Sequence, residues 1–132
     1  MRSVLLFVAV AMVSCGPPVM NTPIEEIPKL TTLAAVMDNQ ATVADPEMKK
    51  AGETSYTDAD YGAFAKVAER IKVTSLKIKD FSKGPEFDAL AMQLNAKAEA
   101  LGNAATAKDA AAASQALTEM KATCKACHSQ FR

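Results

Sequence analysis

The chain has 132 residues, enough for one small domain, and its 15 basic residues balance its 15 acidic residues. A zero formal charge indicates neither a nucleic-acid partner nor a polybasic membrane surface. With no Trp, only five Gly and abundant Ala, the composition favours helices over sheet.

The N-terminal residues 1–14 have the pattern of a secretion signal. Arg2 supplies a positive start, and residues 4–13 form an apolar run that is too short to span a bilayer, which takes about 20 residues. The boundary at residues 12–15 resembles a bacterial lipobox, in which the cysteine is lipidated and becomes the new N-terminus. Alternatively, Cys15 is discarded with an ordinary signal, or is a buried thiol in a chain that keeps its start. We expect a periplasmic protein anchored to a bacterial membrane through Cys15.

The mature chain is predicted to begin with a Pro-rich tether over residues 15–28, followed by a helical domain over 29–132. Apolar residues recurring three and four apart predict a first helix from about residue 29 to 43. We expect it to end before Pro46, because proline disrupts a helix interior. The segment 47–55 is predicted to be a surface loop.

Capping signals define the next two helices. Thr57 can cap a second helix, with Asp60 three residues later in the arrangement of a capping box, and the apolar pattern continues to about Lys79. Pro85 suits the first turn of a third helix. Gly102 and the asparagine after it are predicted to end that helix.

The fourth helix is predicted from near Asp109 to the end of the chain, and it carries the motif Cys-x-x-Cys-His. This motif attaches a c-type haem. On a helix Cys124, Cys127 and His128 share one face, so both thiols can bond to one porphyrin whose iron the imidazole reaches. The motif predicts one covalent haem c. Such attachment takes place outside the bacterial cytoplasm, in agreement with a secretion signal.

A zinc site and a redox pair are the two other functions of cysteines at this spacing. A zinc site would need a second Cys/His pair, which the sequence lacks, and no βαβ pattern surrounds the motif as in thioredoxin-like proteins. A haem-free lipoprotein with Cys124 and Cys127 as a redox pair is a distant alternative. No carboxylate spacing indicates acid/base catalysis, and a histidine bound to iron leaves none for a Ser/His/Asp set. We therefore expect no enzymatic activity.

Four helices with short connections predict an all-α, antiparallel four-helix bundle with haem attached to its C-terminal helix. The chain has one histidine, so two histidines of one molecule cannot hold the iron. Methionine, lysine, water or an empty site remain for the other axial position. Only four residues follow His128, so that ligand must come from upstream.

Elimination reduces the seven methionines to two. Those set aside lie in the signal, the tether, the predicted loop or the helix of His128 itself: Met1, Met12, Met20, Met48 and Met120. Met37 is preferred to Met92 because it belongs to the apolar stripe of its helix. The alternative for Met37 is that it only fills core space.

The terminal sequence Cys-Lys-Ala-Cys-His-Ser-Gln-Phe-Arg, on the last of four helices, resembles the class II cytochromes c, the cytochrome c′ group. The resemblance implies that the first helix covers the far side of the iron, with either a methionine ligand or an apolar residue that leaves the iron five-coordinate. Met37 stands near that position. An arginine frequent in the family's first helix is missing. The resemblance assigns Cys124 and Cys127 as thioether anchors, His128 as proximal ligand, Phe131 as a packing residue and Arg132 as a positive neighbour of the haem edge.

These observations predict a monohaem cytochrome that carries single electrons between periplasmic protein partners, with a low-spin haem ligated by His128 and Met37. The alternative is a five-coordinate cytochrome c′ that binds NO or CO. Membrane contact is expected only through lipid at Cys15. The chain is expected to be a monomer or a homodimer.

Overall fold

A computed structural model describes residues 22–132, so the predicted signal segment 1–14 and Cys15 lie outside the described residues. Consecutive helices pack against each other, and no strand is present within 22–132, so the predicted all-α four-helix bundle is confirmed. No helix in this part of the chain is long and apolar enough to cross a membrane. The helices are α1 (Leu33–Met48), α2 (Asp58–Ile78), α3 (Pro85–Ala107) and α4 (Ala110–Phe131), with short 3-10 helices at Ile24–Lys29 and Lys79–Phe81.

The end of the predicted tether is part of the folded structure. Residues 24–29 form a 3-10 helix against α2, and the side chain of Ile27 is completely buried. The guanidinium of Arg70 donates a hydrogen bond to the carbonyl of Thr22 at 2.8 Å. The tether prediction is therefore wrong for residues 22–28, because an apolar side chain within the Pro-rich stretch finds a place in the core.

Helix α1 begins later and ends later than predicted. It runs through Pro46 to Met48, although proline cannot donate a backbone hydrogen bond. Ala44 and Met48 are four residues apart on one face, and both are buried. Burial of this last turn offsets the lost hydrogen bond. Lys50 then links the end of α1 to α2 through an ion pair of 2.6 Å with Asp60.

The capping box of α2 is confirmed. The amide of Asp60 donates to the hydroxyl of Thr57 at 3.2 Å, and the amide of Thr57 donates to the Asp60 carboxylate at 2.8 Å. The helix ends at Ile78, one residue before the predicted end. A local signal therefore defines the start of α2.

Helix α3 starts at Pro85 as predicted but does not end at Gly102. It continues to Ala107, where Lys108 adopts a left-handed conformation with φ of 53°. A Cβ atom at Gly102 would lie 3.3 Å from the Cβ of Ala68 on α2. The glycine therefore allows α2 and α3 to pack closely and does not act as a helix stop.

The four helices do not pack equally closely against one another. Helices α2, α3 and α4 share the main core around Phe64, Leu101 and Leu117, all completely buried. A second cluster forms around Val36 and Phe87, where the start of α1 meets the start of α3. Helices α1 and α4 make few contacts with each other. A gap between these two helices therefore remains along one side of the bundle.

Candidate haem site

The gap between α1 and α4 is a cavity of about 900 Å³. Sites for small molecules and cofactors typically have volumes of about 300–1,000 Å³ and mainly apolar linings. One wall contains the haem-attachment motif, and the facing wall contains α1. Helices α2 and α3 contribute apolar side chains to the floor, namely Ile71, Ile78, Phe87, Leu90, Ala91 and Leu94. The volume and the lining fit a flat, largely apolar group.

Helix α4 brings the three motif residues to the same cavity wall. Cys124, Cys127 and His128 all line the cavity; the two thiols are half-buried and the imidazole is exposed. Cys124 packs against the main core, whereas Cys127 packs against the second cluster. The motif therefore spans the junction of the two apolar clusters.

The electrostatic surroundings keep both thiols protonated at neutral pH. Burial raises the pKa of Cys124 to about 11, and the nearby Cys127 and Asp45 act in the same direction. Burial also raises the pKa of Cys127, against the lowering effect of Lys83. Redox-active cysteines usually have lowered pKa values, so these surroundings do not support the redox-pair alternative.

The zinc alternative also lacks a set of ligands. Among residues 22–132, no group of three or more His, Cys, Asp or Glu side chains could hold a metal ion. A structural zinc site needs four such ligands. The arrangement in the cavity instead offers two thiols and one imidazole on a single wall, which is the donor set of haem attachment.

Met37 lies on the facing wall. It projects from α1 into the lining and is partly buried against the second cluster, the same cluster that receives Cys127 and Phe131. Ala34 and Ala41, three residues before and four after, lie on the same face of α1 and also line the cavity. Met37 is therefore a long side chain between two small ones on this face of α1.

The placement of Met48 in a loop is wrong. Met48 is the last residue of α1, is buried and lines the cavity. It is 11 residues beyond Met37, which is about three turns or roughly 16 Å along the helix, and it packs in the main core. Met92 is 40% exposed on α3, and Met120 is fully buried, so neither lines the cavity. Met37 is thus the cavity methionine that shares a cluster with Cys127.

Two buried hydrogen bonds set the rotation of α1. The Gln40 amide donates to the hydroxyl of Thr74 at 2.9 Å, and Arg70 donates to the side-chain oxygen of Asn39 at 2.9 Å. Gln40 and Asn39 are almost completely buried against α2. Because they fix one side of α1 to α2, the neighbouring face with Met37 is directed to the cavity.

The last turn of α4 is held by contacts from α3 and from the connection before it. The rings of Phe131 and Phe87 meet edge to face with centroids 5.3 Å apart. The ammonium of Lys83 donates to the Phe131 carbonyl at 2.7 Å. Arg132 is exposed at the mouth of the cavity. Sequence reasoning missed Lys83, because no local pattern indicates a contact between residues 48 positions apart.

Comparisons with known proteins agree with this geometry. The family model for cytochrome c′ matches residues 28–132. Cytochrome c′ of Pararhodospirillum photometricum is 41% identical over 70 residues, an alignment that spans 53% of this chain and 56% of that relative. No solved structure matches the chain. The chain therefore belongs to the cytochrome c′ family, whose members carry covalently attached haem c.

Proposed function

We propose that this cytochrome carries single electrons between protein partners, with one haem c attached through Cys124 and Cys127 and its iron held by His128 and Met37. The observation that carries the proposal is the position of Met37 across the cavity from the attachment motif. Met37 and Cys127 pack against the same apolar cluster, which supports Met37 as the candidate ligand opposite the motif.

The protein residues have separate tasks in this proposal. Bound haem would supply a centre that gains and loses one electron. The imidazole of His128 and the thioether of Met37, on opposite walls of the cavity, would hold the iron, and this donor combination raises the reduction potential. Gln40 and Asn39 anchor α1 to α2 through buried hydrogen bonds, and this anchoring would hold the face of α1 that carries Met37 in place. Little rearrangement would then accompany each electron.

The test replaces Met37 by leucine, which keeps the size of the side chain and removes the sulfur. We expect the optical spectrum of Met37→Leu to change from six-coordinate low-spin to five-coordinate, and the reduced variant to bind CO. Met48→Leu is the matched control, because Met48 lines the same cavity three turns farther along α1. An unchanged spectrum in Met37→Leu would remove Met37 from the ligand assignment.

A second candidate is a five-coordinate cytochrome that binds NO or CO. The packing of Met37 against the second cluster also fits this candidate, because a methionine in an apolar cluster commonly fills core space without binding a metal. Membership of the cytochrome c′ family also favours it. A high-spin spectrum of the native protein, with CO bound readily after reduction, would establish this candidate over the first.

The proposal includes no catalysis by the chain itself. Iron ligation would occupy the single histidine, and the thiols would be used in attachment. We also propose a periplasmic location with a lipid anchor at Cys15. This is supported by the signal-like residues 1–14 and by the need to attach haem outside the bacterial cytoplasm.

A further inference from the structure

The end of the haem-attachment helix carries cations and no acids. Residues 120–132 contain Lys121, Lys125 and Arg132 but no Asp or Glu. Spacings of four and seven residues place the three on one side of α4, and all three are exposed. We call these three residues the basic edge.

The basic edge is not neutralised within the bundle. Across residues 22–132, none of its three cations lies within 4.0 Å of a carboxylate oxygen. Five lysines elsewhere do form such pairs, namely Lys29, Lys50, Lys77, Lys97 and Lys108. Since the whole chain has zero formal charge, the excess of positive charge at this edge is local.

The basic edge borders the cavity. Lys121 and Arg132 belong to the cavity lining, on the α4 side of its mouth. The α1 side of the mouth carries two exposed carboxylates, Asp38 and Asp45, and one exposed lysine, Lys49. The α1 side therefore has a net charge of one negative and the α4 side is positive, so a charged surface is attracted more strongly to one side than to the other.

We propose that the basic edge is the docking surface for an acidic face of a redox protein. This inference rests on the proposed electron-carrier function and names the kind of partner that the carrier meets. Complementary charge guides encounter and orientation more than it adds affinity. Acidic groups of the partner would lie against Lys121, Lys125 and Arg132, while Asp38 and Asp45 oppose docking in the reversed orientation.

The test uses the mature holoprotein and two small reagents of opposite charge. The reduced protein gives one electron to hexacyanoferrate(III), which becomes hexacyanoferrate(II), and no bond forms or breaks. Tris(phenanthroline)cobalt(III) takes one electron in the same way but is a cation. We compare the second-order rate constants of the native protein and of Lys121→Glu/Lys125→Glu across a range of ionic strength. The control is Lys66→Glu/Lys72→Glu on α2, because this double variant changes the net charge by the same amount.

We expect the native rate with hexacyanoferrate(III) to fall as salt is added. At low salt, Lys121→Glu/Lys125→Glu should lower that rate at least about fivefold and raise the rate with the cobalt reagent. Lys66→Glu/Lys72→Glu should change both rates by less than about twofold. Poly-L-glutamate, as a macromolecular acidic probe, should slow the reaction of the native protein and not that of the α4 variant.

Two results would overturn the docking proposal. Equal effects of the two double variants would show that only net charge matters. Binding of the native protein to phosphatidylglycerol vesicles through Lys121 and Lys125, without competition by poly-L-glutamate, would assign the edge to a lipid surface. The electron-carrier function has a separate test. If the protein does not carry electrons, its haem spectrum would show no reversible one-electron change.

Discussion

At the scale of single residues, Met37 and Met48 place the same chemical group in two different surroundings along one helix. Both thioethers line the same cavity from the same side of α1. Met37 packs with Cys127 in the second cluster, whereas Met48 packs with the main core. In the proposed function only Met37 is a candidate iron ligand, because its position along the helix axis matches that of Cys127.

Asp60 gives a residue-scale prediction on pH. The ammonium of Lys50, with hydrogen bonds from Thr57, lowers the pKa of Asp60 to about 2. A lowered pKa in the folded state stabilises the protein above the ordinary carboxyl pKa of about 4, and this stabilisation is lost as the pH falls to about 2. Asp60→Asn should therefore lower the melting temperature at pH 7. Between pH 4 and pH 2, the melting temperature of this variant should fall less than that of the native protein.

Thermal unfolding followed by circular dichroism at pH 7, 4, 3 and 2 measures this effect. Asp58→Asn is the control, because Asp58 is 82% exposed and pairs only with an exposed lysine. Parallel pH profiles for Asp60→Asn and the native protein would contradict the assigned role of Asp60.

At the scale of elements, the C-terminal turn of α4 depends on a neighbour from outside the helix. The final carbonyls of a helix lack partners within it, and a cation near them is favourable. Lys83, in the connection between α2 and α3, supplies that cation through its bond to the Phe131 carbonyl. The connection thus supports the turn that carries His128.

Lys83→Met should loosen this turn. We expect a loss of about 0.5–1 kcal/mol of unfolding free energy and faster amide hydrogen exchange at residues 128–131. Lys83→Arg keeps the positive charge and should retain most of the protection. Lys79→Met, at an exposed position nearby, is the control for loss of a surface lysine. Unchanged exchange in Lys83→Met would show that the aromatic contact of Phe131 alone holds the turn.

At the scale of the whole molecule, the four helices leave one side of the bundle open. Helices α2 and α3 pack closely along their length, whereas α1 and α4 are separated by the cavity. A group that binds only the folded state stabilises it, and a cavity of this size leaves its apolar lining without contacts. The bundle therefore has a closely packed side at α2 and α3, and an open side between α1 and α4 that haem would fill.

The chain without haem should be less stable than the holoprotein, and the loss of stability should differ from helix to helix. Compared with the holoprotein, native-sequence chain produced without haem attachment should melt at least about 10 °C lower. Amide exchange should be faster in α1 than in α2 and α3. Cys124→Ser/Cys127→Ser, which cannot form thioethers, should behave like the haem-free native chain. Equal melting temperatures with and without haem would contradict this account.

Local signals in the sequence predicted much of the bundle. The capping box of Thr57 and Asp60 marked the start of α2, and Pro85 marked the start of α3. Both depend on residues within one turn of each other. Predictions failed at Pro46, Gly102 and the end of the tether, because distant side chains decided each of them through burial or close helix packing.

The helical class, the attachment motif and its placement on the last helix follow from residue spacings of three and four, which can be read along the chain. Helix packing, in contrast, determines which methionines line the cavity, places Lys83 at the end of α4, and brings the basic edge to the cavity mouth. These features depend on the gap between α1 and α4. That gap arises because long-range contacts fix α1 to α2 and α4 to α3, and no periodicity within a single helix encodes such contacts.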